Sequence, residues 1–188
     1  MASSVGATSE FDWNDVKLRV SALEDFLVGL AVRRAIGGED ELVVRDLLPY
    51  IDFPGDTAGA TDGFVNEVWR KDYTAAATWT ANTDNKFIYQ TLPINKTIGF
   101  YAAKRLQAAG PVSYLKFQLG PAKVKDIWQV EDIDNQPQHM ILANAPVYYD
   151  RKEKCYIYAY PKTLAVENLK LLGRTCEPIG ENIMAGAK

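Results

Sequence analysis

A single histidine, two cysteines and a few clustered carboxylates are the residues whose types and spacing could do chemistry in this chain. His139 stands beside a Pro/Gln-rich turn, and one imidazole cannot supply a typical zinc site. No hydroxyl or thiol motif surrounds it for nucleophilic catalysis, so it reads as a surface histidine. Cys155 and Cys176 are too few for a disulfide scaffold and wrongly spaced for zinc. They read as buried thiols on neighbouring strands, a single disulfide remaining open in an oxidising environment. Glu39-Asp40-Glu41 and Glu131-Asp132 with Asp134 are the acid clusters. Glycoside hydrolysis needs two carboxylates about 5 to 9 Å apart across a groove. Spacing along the chain does not place these acids so, nor does it match an EF-hand loop. They read as solvated faces. Phosphate-cradling glycine loops, a nucleophile elbow and a helical zinc motif do not occur. The reading is of a non-catalytic protein with no cofactor and no metal.

Lys104-Arg105, Lys123 with Lys125, and Arg151-Lys152 with Lys154 form modest basic patches near many aromatic residues. Aromatic residues also pack β domains, so direct nucleic-acid binding is not expected. More informative is the run Tyr156, Tyr158, Tyr160, with Tyr148 or Tyr149 on the strand before it. A period of two places the three rings on one face of a strand. Exposed, that face suits a protein partner, or a sugar bound near Trp128. Buried, it is half of a sandwich core or a seat for the N-terminal helix. Both readings stay open.

The elements that must position these residues are legible from composition and periodicity. Apolar residues make up 47% and charged residues 24% of the 188-residue chain, the balance of a globular protein. The net charge of −3 hides an asymmetry. The first 85 residues carry 15 acids and 7 bases, whereas the rest carry 9 acids and 14 bases. Such halves suit complementary contacts within one chain or between copies. No apolar run of about 18 residues predicts a membrane span. Residues 1–9 read as a disordered tail without the pattern of a secretion signal.

Val16, Leu18 and Val20 alternate with Lys17 and Arg19, which predicts a short strand. Ser21 and Glu24 make a possible capping box, and Leu23, Phe26, Leu27 and Leu30 follow at helical spacing. A helix over about 22–36 is predicted, ending with Arg33 and Arg34 and stopped by Gly37-Gly38. Residues 41–53 predict a short strand or helical turn, and 54–63 a loop. A short helix over 64–73 would set Val65, Val68 and Trp69 on one face, and 74–80 are β-prone. From Asn85 onward, seven short runs rich in Val, Ile, Tyr, Phe, Trp and Leu are parted by turn residues. They predict an antiparallel β-sandwich over 85–188, preceded by an α/extended arm over 1–84.

Set end to end, NKTIGFYAAKRL, PVSYLKFQLG, KDIWQVEDI, APVYYD and ENLKLLGRTCEPIGENI resemble the small jelly-roll capsid and capsid-cementing proteins of double-stranded DNA bacteriophages. The resemblance is one of strand rhythm over about 100 residues. It implies a jelly-roll-like sandwich and a virion structural role without catalysis. It also implies a homo-oligomer (trimers are common there) whose partners are copies of itself and a major capsid protein. Such a protein is made in the host cytoplasm and resides in the virion. Leu23, Phe26, Leu27, Leu30, Trp69, Tyr156, Tyr158 and Tyr160 are the candidate interface residues. The alternative is a carbohydrate- or ligand-binding β-sandwich module.

Overall fold

A computed structural model describes residues 13–53, 69–72, 80–107, 109–136 and 138–180. Helix α1 spans Trp13–Arg33, strand β1 Leu42–Asp46, the helical turn α2 Pro49–Asp52 and strand β2 Arg70–Asp72. Then come β3 (Asn85–Thr91), β4 (Thr97–Arg105), β5 (Val112–Leu119) and β6 (Lys123–Gln129). The last three strands are β7 (Met140–Tyr149), β8 (Lys154–Pro161) and β9 (Val166–Pro178). The predicted loop 54–63 and most of the predicted helix over 64–73 lie outside the described residues, as do the tail and nearly all of the β-prone stretch. Where that helix reached residues 70–72, the chain is instead a strand, its backbone drawn into pairing with β9.

All the strand pairs are antiparallel, and they form two sheets. One has the order β1-β9-β4-β7, with β2 beside β9; the other has the order β3-β8-β5-β6. With β2 set aside, the eight strands follow the order of two interleaved Greek keys, changing sheet at every step except β5 to β6. The fold is therefore a jelly-roll sandwich. β1 comes from the segment expected as an arm, yet it is an integral strand of the first sheet.

Alternation along β9 builds the core: Leu169 and Leu171 point inward. Beside them on the same sheet lie Phe100 from β4 and Tyr149 from β7, and opposite are Phe117 from β5, Trp128 from β6 and Ile157 from β8, each buried. Phe100 meets Phe117, Tyr149 and Phe53 with ring centroids about 6 Å apart, and Phe117 lies 4.5 Å from Trp128. Burying each such side chain contributes about 1.5 to 3 kcal/mol.

α1 covers the outer face of the first sheet. Leu23, Leu27 and Ala31 form a second cluster with Cys176, joined by Leu42, Val44 and Tyr101. The helix sits close because Gly99 has no side chain, a Cβ there standing 2.5 Å from Leu23 Cδ1. Gly173, on the neighbouring strand, allows the Gly99 carbonyl the same approach. Two expectations fail here for one reason. Residues 16–20 are helix, not strand, because Val16 and Val20 continue the helical stripe of Leu23, Leu27 and Leu30 on the face that meets the sheet. Leu18, which the strand reading buried, is exposed. Ser21 and Glu24 consequently lie inside the helix and form no cap, and Glu24 pairs with Arg174 at 2.8 Å.

The helix also stops earlier than predicted. Ile36 N–H donates to Ala31 O and Ala35 N–H to Val32 O, both at 3.0 Å. This is a Schellman ending with Ala35, at φ 52°, in the left-handed position that favours glycine. Ala35→Gly is expected to stabilise the fold by about 1 kcal/mol. Gly173→Ala is expected to destabilise it by about 1 to 3 kcal/mol. Urea midpoints of the two variants against the native chain check both signs.

Candidate functional site

Both ends of the sandwich interior are closed by buried charge, anchored on inward-facing positions of β9. At one end Glu177 meets Asp52, Arg45 and Lys96. The Asp52 and Glu177 side chains are wholly buried. Arg45 Nη2 donates to Asp52 Oδ1 at 2.8 Å and its Nη1 to Oδ2 at 2.9 Å, while its Nε binds Glu177. Lys96 Nζ stands 2.9 Å from Asp52 Oδ1 and 3.3 Å from Glu177 Oε2. The Leu48 amide and the Thr175 hydroxyl complete the Asp52 shell at 2.7 and 3.2 Å. Two cations and two anions thus balance. Burial alone would raise the Asp52 pKa, but its hydrogen bonds and charge contacts with Arg45 and Lys96 hold it below the ordinary value.

At the other end Arg105, which sequence placed in a basic surface patch, is wholly buried because its β4 position faces inward. It forks onto Glu167 at 3.1 Å from both Nε and Nη2 and reaches Asp134 at 2.5 Å. Its Nη2 also donates to Val112 O at 2.9 Å, and the Val112 amide donates to Glu167 at 3.1 Å. Asp134 is bound by Arg105 yet partly exposed, and Glu131, which binds Lys162 and Ser113, and Asp132 are exposed. Burial raises the Glu167 pKa, and the Arg105 contacts offset this only in part. The Asp52, Glu167 and Glu177 carboxylates face cations within the closed ends of the core, whereas the Glu131 pair with Lys162 is exposed. Among the described residues no group of three or more His, Cys, Asp or Glu is placed to hold a metal ion.

The outer face of the second sheet differs. Cys155, Ile157 and Ala159 take the inward positions of β8, so Tyr156, Tyr158 and Tyr160 turn outward. The core reading of the tyrosine stripe is overturned. Tyr89 on β3 stacks on Tyr156 with centroids 3.7 Å apart and meets Tyr158 edge-on at 6.1 Å. Tyr114 on β5 stacks on Tyr160 at 4.7 Å. Lys86 lies 4.6 Å over Tyr89, and Lys116 lies 5.6 Å over Tyr158 while pairing with Asp84. Tyr156 is covered by its stacked neighbour, and hydrogen bonding to Tyr89 raises its pKa. Burial and the hydrogen bond to Asp84 push Tyr114 up to about 12. Burial and the neighbouring tyrosines raise Tyr158 as well. These three phenols stay neutral at physiological pH and keep their donor protons.

Several single residues fall elsewhere than expected. Trp128 points into the core, its Nε1 donating to Asp126 at 2.9 Å, so it cannot border the tyrosine face. Tyr148 and Tyr149 belong to the other sheet: Tyr149 is core and Tyr148 packs on Phe26 at 4.7 Å. Leu23, Leu27 and Leu30 are buried. Leu23 and Leu27 hold α1 against its own first sheet, and Phe26 remains partly exposed at the helix margin. Trp69 is half-buried against the core. His139 is half-buried, at φ 49°. Cys155 and Cys176 are buried and not joined by a disulfide, and they lie in different sheets rather than on neighbouring strands. One faces the core and the other faces α1, which rules out a bridge in this structure. Burial pushes the Cys176 thiol up to about 11. Tyr89 and Tyr114 were missed because stripe-forming positions on separate strands become neighbours only through pairing.

No protein-family model matches the sequence, and no curated protein matches it. A solved structure described as Bacillus endospore appendages forming a novel family of disulfide-linked pili is similar over 73% of this chain and 87% of that one, at 11% identity and a TM-score of 0.31.

The two plugs respond oppositely to acid. Asp52 contributes stability above its unfolded pKa, near 3.8, and that contribution fades as pH falls through its lower folded value. Glu167 has a raised folded pKa, so its ionised form opposes folding and protonation relieves the cost. Asp52→Asn is expected to destabilise by about 3 kcal/mol at neutral pH. Chemical denaturation of both variants from neutral to strongly acid pH checks the signs. The gap between native and Asp52→Asn should shrink with acid, while the native chain should gain on Glu167→Gln.

Proposed function

We propose that this chain is a virion structural protein, a jelly-roll building block that acts through subunit contacts and not through catalysis. The observation that carries this reading is the outward face formed by Tyr89, Tyr114, Tyr156, Tyr158 and Tyr160 on a sandwich whose interior is packed and closed by ion pairs. With the core filled by side chains, the outer surface is where a partner is met. Tyrosine is enriched in protein interfaces because a rigid ring brings contact area and a hydroxyl together. Jelly-roll strand order is shared by capsid and lectin domains, so the site must decide between them.

Ring orientation favours protein contact over sugar. Tyr89 lies 10° from parallel to Tyr156, and Tyr114 16° from parallel to Tyr160. Each stacked pair spends ring faces on its neighbour, whereas a sugar platform needs an open ring face. A partner surface would instead meet edges and hydroxyls. The proposed partners are copies of this chain and a major capsid protein, with the virion as the place of residence.

Light scattering of the full chain over a hundredfold concentration range tests the reading. The expected result is a mass that rises above the 20.9 kDa of one chain and falls back when Tyr89 and Tyr158 are both changed to Ala. A constant single-chain mass, together with a thermal shift on adding a panel of polysaccharides, would transfer the tyrosine face to the sugar-binding reading. A ligand at 100 times its Kd would stabilise the fold by about 2.7 kcal/mol.

A further inference from the structure

We infer that two copies of this chain pair antiparallel through the outer faces of α1, each Leu18 seated between Ala22, Asp25, Phe26 and Gly29 of the other. This rests on the assembly reading above and adds a second contact, on the side of the molecule opposite the tyrosines.

α1 buries only one of its faces. Leu23, Leu27 and Ala31 pack on the first sheet, and Val16 and Leu30 are buried with them. At 3.6 residues per turn, Leu18, Ser21, Ala22, Asp25, Gly29 and Val32 lie on the opposite face, and all are exposed. A surface helix ordinarily turns charged residues away from its apolar stripe. Here the outward face carries one charge, Asp25, beside Leu18 at 71% exposure and Val32 at 42%.

This face complements itself. Ala22, Asp25, Phe26 and Gly29 stand at i, i+3, i+4 and i+7, the four positions that frame a hole for a side chain of a facing helix. The hole is open at Gly29, where a Cβ would meet nothing within 4 Å. Phe26 forms its wall on the side of Tyr148, 4.7 Å away. Leu18, one turn before Ala22, is the projecting side chain. When Leu18 of a second copy enters the hole antiparallel, the two-fold axis places the first copy's Leu18 in the second's hole. Ser21 and Ala22 then lie at the axis, where small side chains let the helices come close.

The charges agree with this register. Lys17 comes within about 2 Å of the height of the second copy's Asp25, at about 1.5 Å of rise per residue. Within one chain the two are about two turns apart, and neither makes an ion pair among the described residues. A parallel pair would instead set Lys17 beside Lys17 and Asp25 beside Asp25, and like charges across an interface are penalised. The contact is isologous, so it closes at two chains and leaves both tyrosine faces outward.

Sedimentation velocity tests this in the native chain and in the Tyr89→Ala, Tyr158→Ala chain, with melting curves confirming that each variant folds. The chain without the two tyrosines should still form a two-chain species. Lys17→Asp or Asp25→Lys alone should weaken that pairing by roughly tenfold, because each reversal sets like charges together twice across the axis. The two reversals combined should restore it, since the facing charges are again opposite. Gly29→Leu has room to fold but fills the hole, and should leave single chains. A combined reversal as weak as the single ones, or a Gly29→Leu chain that pairs like its parent, overturns the α1 contact. So do single reversals without effect. A native chain that associates while the Tyr89→Ala, Tyr158→Ala chain stays monomeric overturns the α1 contact and leaves the assembly reading standing. A native chain that is monomeric at every concentration overturns both.

Discussion

Glu167 and Glu177 stand ten positions apart on β9, both turned inward, and each ends the hydrophobic core by binding an arginine. At about 3.3 Å per residue they span about 33 Å, essentially the length of the sandwich. Each plug ties elements that are remote in sequence. Arg45 and Asp52 come from the first third of the chain, Lys96 from the turn ahead of β4 and Glu177 from β9. Arg105 and the Val112 amide converge on Glu167 in the same way, and Asp134 binds Arg105 from the other side. Buried ion pairs are a weak source of net stability against apolar replacements, but losing one partner strands the others in a low dielectric. Their consequence here is register: a one-residue slip of β9 would turn both glutamates out of the core.

That register has effects beyond the core. Fixing β9 fixes which of its residues face α1, and so places Cys176 and Gly173 where the helix and the Gly99 carbonyl approach. The helix seals the outer face of the first sheet and leaves the second sheet, among the described residues, with aromatic rings on its outer side. The two faces of the molecule therefore differ in chemistry. One is a helix layer; the other is a tyrosine plane with lysines.

The alternation of Cys155 to Tyr160 determined that the tyrosines share a face, and the turn-bounded runs after Asn85 determined seven strands of an antiparallel sandwich. Both are local properties, written in a period of two and in turn residues, and all seven strands are observed. The extent of α1 was only partly legible, because Val16, Leu18 and Val20 satisfy a strand period and a helix stripe equally well over five residues. Contact with the sheet decided between them.

Tertiary structure alone decided which way the tyrosine face points, since alternation separates two faces without saying which is covered. It also decided that Arg105 and Asp52 are buried, because a charge looks solvated in sequence until its partner is brought against it: Lys96 stands 44 positions from Asp52, Glu167 62 from Arg105 and Glu177 132 from Arg45. Strand pairing set Tyr89 on Tyr156 and Tyr114 on Tyr160, and it parted the two cysteines into separate sheets. Sequence carries the period and the chemistry of each element. Long-range burial assigns each face its neighbour.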